Sequence, residues 1–198
     1  MKFIKFFVFG ILAALGAMAV ELILSALFSI LFSIDIEANY FDRLTVFLVI
    51  AIFVEEFFKL ILLLKLFSSS SEKSYGIMSV LFFGSGFALF EIFSKLLSLS
   101  RYDSMYLLSL SFLGVFLIHL ITSGIIWSII AKKTAYPATL IAKALFLAFL
   151  SHLIYNLLII YEQGAFVIYA YLFSVSIVLY FLKTNLQDKK KSIIINTR

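Results

Sequence analysis

Six apolar runs alternate with five short polar breaks along this chain of 198 residues. The runs cover 6–34, 44–66, 75–99, 105–130, 137–160 and 165–182. Each is near the roughly 20 residues that an α-helix needs to cross about 30 Å of hydrocarbon. The pattern predicts an all-α integral membrane protein, a bundle of about six transmembrane helices. It forms a single polytopic domain over 1–198, with 183–198 as a tail. Pro137 opens the fifth run, where its fixed φ suits a first helical turn. The breaks are short, so consecutive helices should be antiparallel neighbours. In the first run, Gly10, Ala13, Ala14 and Ala17 give small-xxx-small spacing for close helix packing. Lys2, Lys5 and Ala17-Met18-Ala19 resemble a cleavable secretory signal. The apolar run continues through Leu22 to Ile34, however, so an uncleaved first helix is expected.

Composition narrows the class further. The chain is 64% hydrophobic and 14% charged, against about 45–50% and 25% in soluble domains. No stretch remains for a soluble domain, so any chemistry lies in or at the edge of the bilayer. The absence of cysteine excludes disulfides, thiol nucleophiles and thiolate metal sites. The net charge of +5 is less telling than its placement. Lysines flank the spans at Lys2, Lys5, Lys65, Lys73, Lys132, Lys133 and Lys183, and in the tail. The other breaks hold Arg43 and Arg101 beside Asp35, Glu37, Asp42, Asp103 and Glu162. This alternation predicts six crossings with both termini cytoplasmic, in the plasma membrane. Membrane orientation accounts for the lysines, and a nucleic-acid partner is not expected.

Within the spans, polar groups stand out. Glu55 and Glu56 sit side by side in the middle of the second run, with Lys59 one turn on. A charged residue at the bilayer centre costs roughly 2.5–3.5 kcal/mol on insertion scales, and so marks a functional site. The other spans carry Glu21, Glu91, Lys95, His119, Lys143, His152 and Asn156. Counted from the outer ends, Glu55 lies about eleven residues in, His119 about fourteen, and Glu91 and His152 about eight each. At roughly 1.5 Å per residue, four helices bring ionisable groups to a shared depth. Glu55 and Lys59 have the favourable i,i+4 order, as have Glu91 and Lys95, and His152 and Asn156 share a face. Lys59 favours the charged form of Glu55, whereas desolvation and the adjacent carboxylate oppose it. That opposition suits a proton acceptor. The plainer alternatives are helix–helix hydrogen bonding for either His, a structural Glu91–Lys95 pair, and pairing or snorkelling for Glu21 and Lys143.

Four motifs occur in order on the second to fifth spans: Glu55-Glu56-Phe57-Phe58-Lys59, Gly86-Phe87-Ala88-Leu89-Phe90-Glu91, His119 with Thr122, Ser123 and Gly124, and His152-Leu153-Ile154-Tyr155-Asn156. Together they resemble the PrsW-type intramembrane proteases. These share a superfamily with the type II CAAX prenyl endopeptidases and the gamma-secretase scaffold subunit. The motifs span residues 55 to 156. Lys59 and Glu91 depart from the CAAX pattern of E-E-x-x-x-R and a second-motif His, and place the resemblance on the PrsW branch.

The resemblance implies an intramembrane endopeptidase that cleaves a membrane-anchored protein, in some relatives an anti-sigma factor. Glu55 would be the general base on water, with Glu56 and Lys59 holding it. Glu91 and His119 would position the water or relay its proton, and His152 and Asn156 would donate to the oxyanion. No cofactor is expected and no metal. Two His and up to three Glu could hold Zn²⁺, but no HExxH occurs and the superfamily reading is metal-independent. Two other classes stay open: a non-catalytic membrane scaffold, and a proton- or ion-coupled transporter.

Overall fold

A computed structural model describes residues 2–32, 46–68, 76–98, 105–130, 136–160 and 176. Five α-helices account for nearly all of them: α1 (Lys2–Phe32), α2 (Val46–Ser68), α3 (Ile77–Ser98), α4 (Met105–Ile130) and α5 (Ala138–Ile160). No strand occurs among the described residues. The first five apolar runs therefore fold as predicted helices, with ends shifted by a few residues. The sixth run and the tail lie outside the described residues, so the count of six is not established. Helices α1, α3, α4 and α5 are long and apolar enough to cross a membrane. Helix α2 has the length, 23 residues, but carries Glu55, Glu56 and Lys59 at its middle.

Two helix starts are capped by backbone. The Gly76 carbonyl accepts from the Ser79 N–H at 3.0 Å. The Pro137 carbonyl accepts from Leu140 and Ile141 at 2.9 and 3.2 Å. Pro137 thus sits just before α5, where its missing N–H costs nothing.

The helices close into a ring in the order α1, α3, α4, α5, α2, and α2 also reaches α4 across the middle. The expectation that consecutive helices are neighbours fails for one pair. Helices α2 and α3 make no close backbone approach among the described residues, because α1 takes the place beside α3. Glycine is the cause. A Cβ on Gly10 would lie 2.0 Å from the Phe83 carbonyl oxygen, and one on Gly86 would lie 2.1 Å from that of Phe7. These two backbones touch, as small residues allow in membranes. Residue numbers rise together along the contact, from Phe3 stacked on Phe82 to Gly10 against Phe87. Helices α1 and α3 are therefore parallel. The predicted small face of α1 is used, with Ala13, Ala14 and Ala17 all buried.

Burial is inverted relative to a protein in water. Large apolar side chains such as Ile4, Leu22, Ile30, Val46, Leu97 and Phe146 face outward. Glu56, Lys59, His119, Thr122, Ser123 and His152 are buried. Lipid solvates the first set at no cost, and it would leave the second without partners. The ring interior is therefore where polar chemistry has to be.

Candidate active site

Two adjacent residues of a helix point about 100° apart, and α2 uses this to separate its glutamates. Glu56 faces the ring interior and is fully buried. Glu55 borders a cavity of about 510 Å³. Lys59 lies one turn after Glu56 on the same inward face, with Nζ 2.7 Å from Glu56 Oε1. This corrects the expected pairing of Lys59 with Glu55. At i,i+3 both Glu56 and Lys59 point inward, whereas Glu55 is turned to the cavity. Lys59 also donates to Thr122 Oγ1 on α4 at 2.9 Å and stands 4.5 Å from the Phe87 ring centroid. A fully buried ammonium needs several such partners to offset lost hydration.

Helix α5 brings His152 to the same carboxylate, with Nδ1 2.7 Å from Glu56 Oε1. A carboxylate held by Lys59 can only accept, so the Nδ1 proton is donated and the neutral ring keeps its lone pair on Nε2. His152 Nδ1 is 3.7 Å from Glu55 Oε2. Next to His152 at the cavity, His119 Nε2 is hydrogen-bonded to Glu91 Oε2. By the same argument its Nδ1 carries a lone pair, and that atom has no partner among the described residues. Glu91 also binds Lys95 at 2.6 Å, so the expected ion pair coexists with the contact to His119. The two imidazoles stand perpendicular, 5.3 Å apart between centroids.

All seven sequence-nominated residues meet here. Glu55, Glu91, His119, His152 and Asn156 line the cavity, while behind it Lys59 holds Glu56 and Glu56 holds His152. Two participants had no assigned role. Thr122 was visible in the third motif, yet its bond to Lys59 needs the α2–α4 contact to be known. Glu21 on α1 also lines the cavity, although pairing or snorkelling was expected. Lys143 lies on the exposed face of α5.

The donor chemistry fits a divalent cation. Glu55, Glu56, His119 and His152 each offer a ligand atom, all within 4.8 Å of one another. Glu55 Oε2, Glu56 Oε2 and His119 Nδ1 are buried without hydrogen-bond partners among the described residues. Each imidazole gives one N–H to a carboxylate, Glu91 or Glu56, which leaves its other nitrogen to turn toward an ion. That arrangement orients histidine ligands at metal sites.

A family model described as PrsW family intramembrane metalloprotease matches residues 2–182. No curated protein and no solved structure matches the chain.

Proposed function

The chain belongs to the PrsW family of intramembrane metalloproteases, and on that premise we propose that it cuts a membrane-anchored protein with water activated by Glu55. One observation carries the assignment: Glu55 brings a buried carboxylate oxygen, without a hydrogen bond among the described residues, to a cavity walled by His119 and His152. Glu55 takes a proton from water as the water oxygen bonds to the scissile carbonyl carbon. That proton then passes to the amine as the C–N bond breaks. Asn156, on the same face as His152, donates its amide to the oxyanion. His152 was expected to share that task. With Nδ1 engaged by Glu56, only Nε2 of His152 is left to face the substrate. From Nε2 it serves as a metal ligand where an ion is bound, and as the expected donor to the oxyanion in the metal-independent reading. Glu91 fixes the tautomer of His119, and Lys59 fixes Glu56.

The three deepest donors, Glu56, His119 and His152, would hold a metal, which leaves Glu55 beside the open position. Bound there, a divalent ion such as Zn²⁺ would make water more acidic and polarise the carbonyl. The competing reading is metal-independent hydrolysis by Glu55 alone. Chelation decides between them. Treatment of the purified chain with a strong chelator should lower turnover by roughly 10²-fold, and added Zn²⁺ should restore it. Undiminished turnover after exhaustive chelation would select the metal-independent reading.

The substrate reading goes further. The chain would sit in the plasma membrane with both termini cytoplasmic and cut near the outer juxtamembrane segment of a single-span protein. An anti-sigma factor is one candidate of that kind. Membrane proteomes of cells with and without the chain should differ by a truncated single-span protein. Identical proteomes, together with ion flux through the chain in liposomes, would instead favour a transporter. Identical proteomes without flux would favour a scaffold.

A further inference from the structure

One cavity carboxylate has no task in the chemistry above. Ala14, Ala17, Met18 and Glu21 recur at i, i+3, i+4 and i+7, so they share one face of α1. That face forms a wall of the 510 Å³ cavity. Helix α1 bears none of the four motifs, and nothing in the hydrolytic machinery requires a carboxylate on it. Yet Glu21 Oε1 is buried and has no hydrogen-bond partner among the described residues. The parallel packing of α1 on α3 carries Glu21 toward the end of α3 that holds Lys95. Lys95 is already bound to Glu91 at 2.6 Å. Three cavity glutamates, Glu21, Glu55 and Glu91, therefore face one cavity lysine. Lys95 is bonded to Glu91 and acts on Glu21 only through space, and Glu55 has its own role.

We propose that Glu21 ends a cation subsite, which receives a Lys or Arg side chain of the substrate a few residues from the cut. The inference rests on the protease reading. Glu21 as a whole is half-buried, but a carboxylate oxygen buried without a hydrogen bond is costly, and a cation delivered with the substrate removes that cost when the cavity is occupied. The wall has the shape this needs. Ala14 and Ala17 add little bulk to this wall, and Met18 is flexible enough to fit a long methylene stem. Lys and Arg carry such stems, and in a single-span protein they occupy the margin of the hydrocarbon, near the level of an outer-half cavity. Glu21 is thus a specificity-determining residue, separate from the groups that move protons.

The test measures binding, so it does not depend on turnover. The full chain carrying Glu55→Gln is placed in nanodiscs with a labelled synthetic Leu/Ala single-span peptide. The peptide has one Lys in its outer third, walked position by position, and the control has norleucine at the same places. At one or two adjacent positions the Lys peptide should bind about tenfold more tightly than the norleucine peptide. Adding Glu21→Gln should erase that difference, and Glu21→Lys should transfer the preference to a peptide with Glu at that position. Equal binding of Lys and norleucine peptides at every position overturns the proposal. So does a Lys preference that survives Glu21→Gln, since another acid then holds the cation. Failure of the protease reading would appear separately, as a membrane proteome unchanged by the active chain.

Discussion

Glu55→Gln gives a chain that inserts and folds normally and cleaves its substrate roughly 10³-fold more slowly, within the range that a positioned general base contributes. The isosteric amide fits the space of the carboxylate. It loses no hydrogen bond at Oε2, because that atom has no hydrogen-bond partner among the described residues. It also spares the buried pair, since Lys59 is bonded to Glu56 and not to Glu55. What it removes is the ability to accept a proton from water at the cavity wall. The decisive comparison is cleavage rate against thermal stability of the purified protein. Wild-type stability with a rate near background assigns Glu55 to the chemistry. A variant that retains more than about a tenth of the wild-type rate places the base elsewhere. The neighbouring Glu56→Gln should behave differently. It weakens the acceptor shared by Lys59 and His152, so stability and rate should fall together.

The contrast between the two glutamates shows how far sequence reasoning reaches. Apolar runs bounded five helices to within a few residues, because hydrocarbon leaves the backbone no alternative to helical hydrogen bonding. Shared depth and the four ordered motifs picked out all seven residues that converge at the cavity. The i,i+4 rule then gave Lys59 the wrong partner. Helical spacing allows a lysine to reach either i−4 or i−3, and only the surroundings choose. Here Thr122 and Phe87 lie on the inward side, and they draw the ammonium toward Glu56. Chain order gave the wrong neighbour for α2 in the same way. The backbone contact of Gly10 with α3 is worth more than adjacency in sequence, and nothing local to α2 records it. Glu21 was visible as an intramembrane acid, but its cavity-facing position depends on that same α1–α3 contact. The tautomers of His119 and His152 were equally hidden, since each is set by a carboxylate on another helix.

Lys59→Met should be the most destabilising single substitution in the interior. Lys59 and Glu56 have no solvent exposure and lie 2.7 Å apart. Removing the ammonium leaves Glu56 as a buried carboxylate whose remaining hydrogen-bond partner among the described residues is His152, and it leaves Thr122 without its donor. Breaking one side of a buried ion pair costs about 3–5 kcal/mol, which here is a large part of the stability of a small domain. Met retains much of the stem's volume, so the loss reports charge and not a cavity. The double variant Lys59→Met with Glu56→Gln separates the pair's structural weight from its chemical one. Replacing both members of a buried pair by neutral groups is often close to neutral, so stability should return to within about 1 kcal/mol of wild type. Activity should not return, because His152 then faces an amide that no longer fixes its Nδ1 proton against a charge. Unfolding in mixed micelles measures the first quantity and substrate cleavage the second. If the double variant regains both, Glu56 and Lys59 serve only to hold α2 against α4 and α5. If it regains stability alone, the pair is part of the machinery that readies His152.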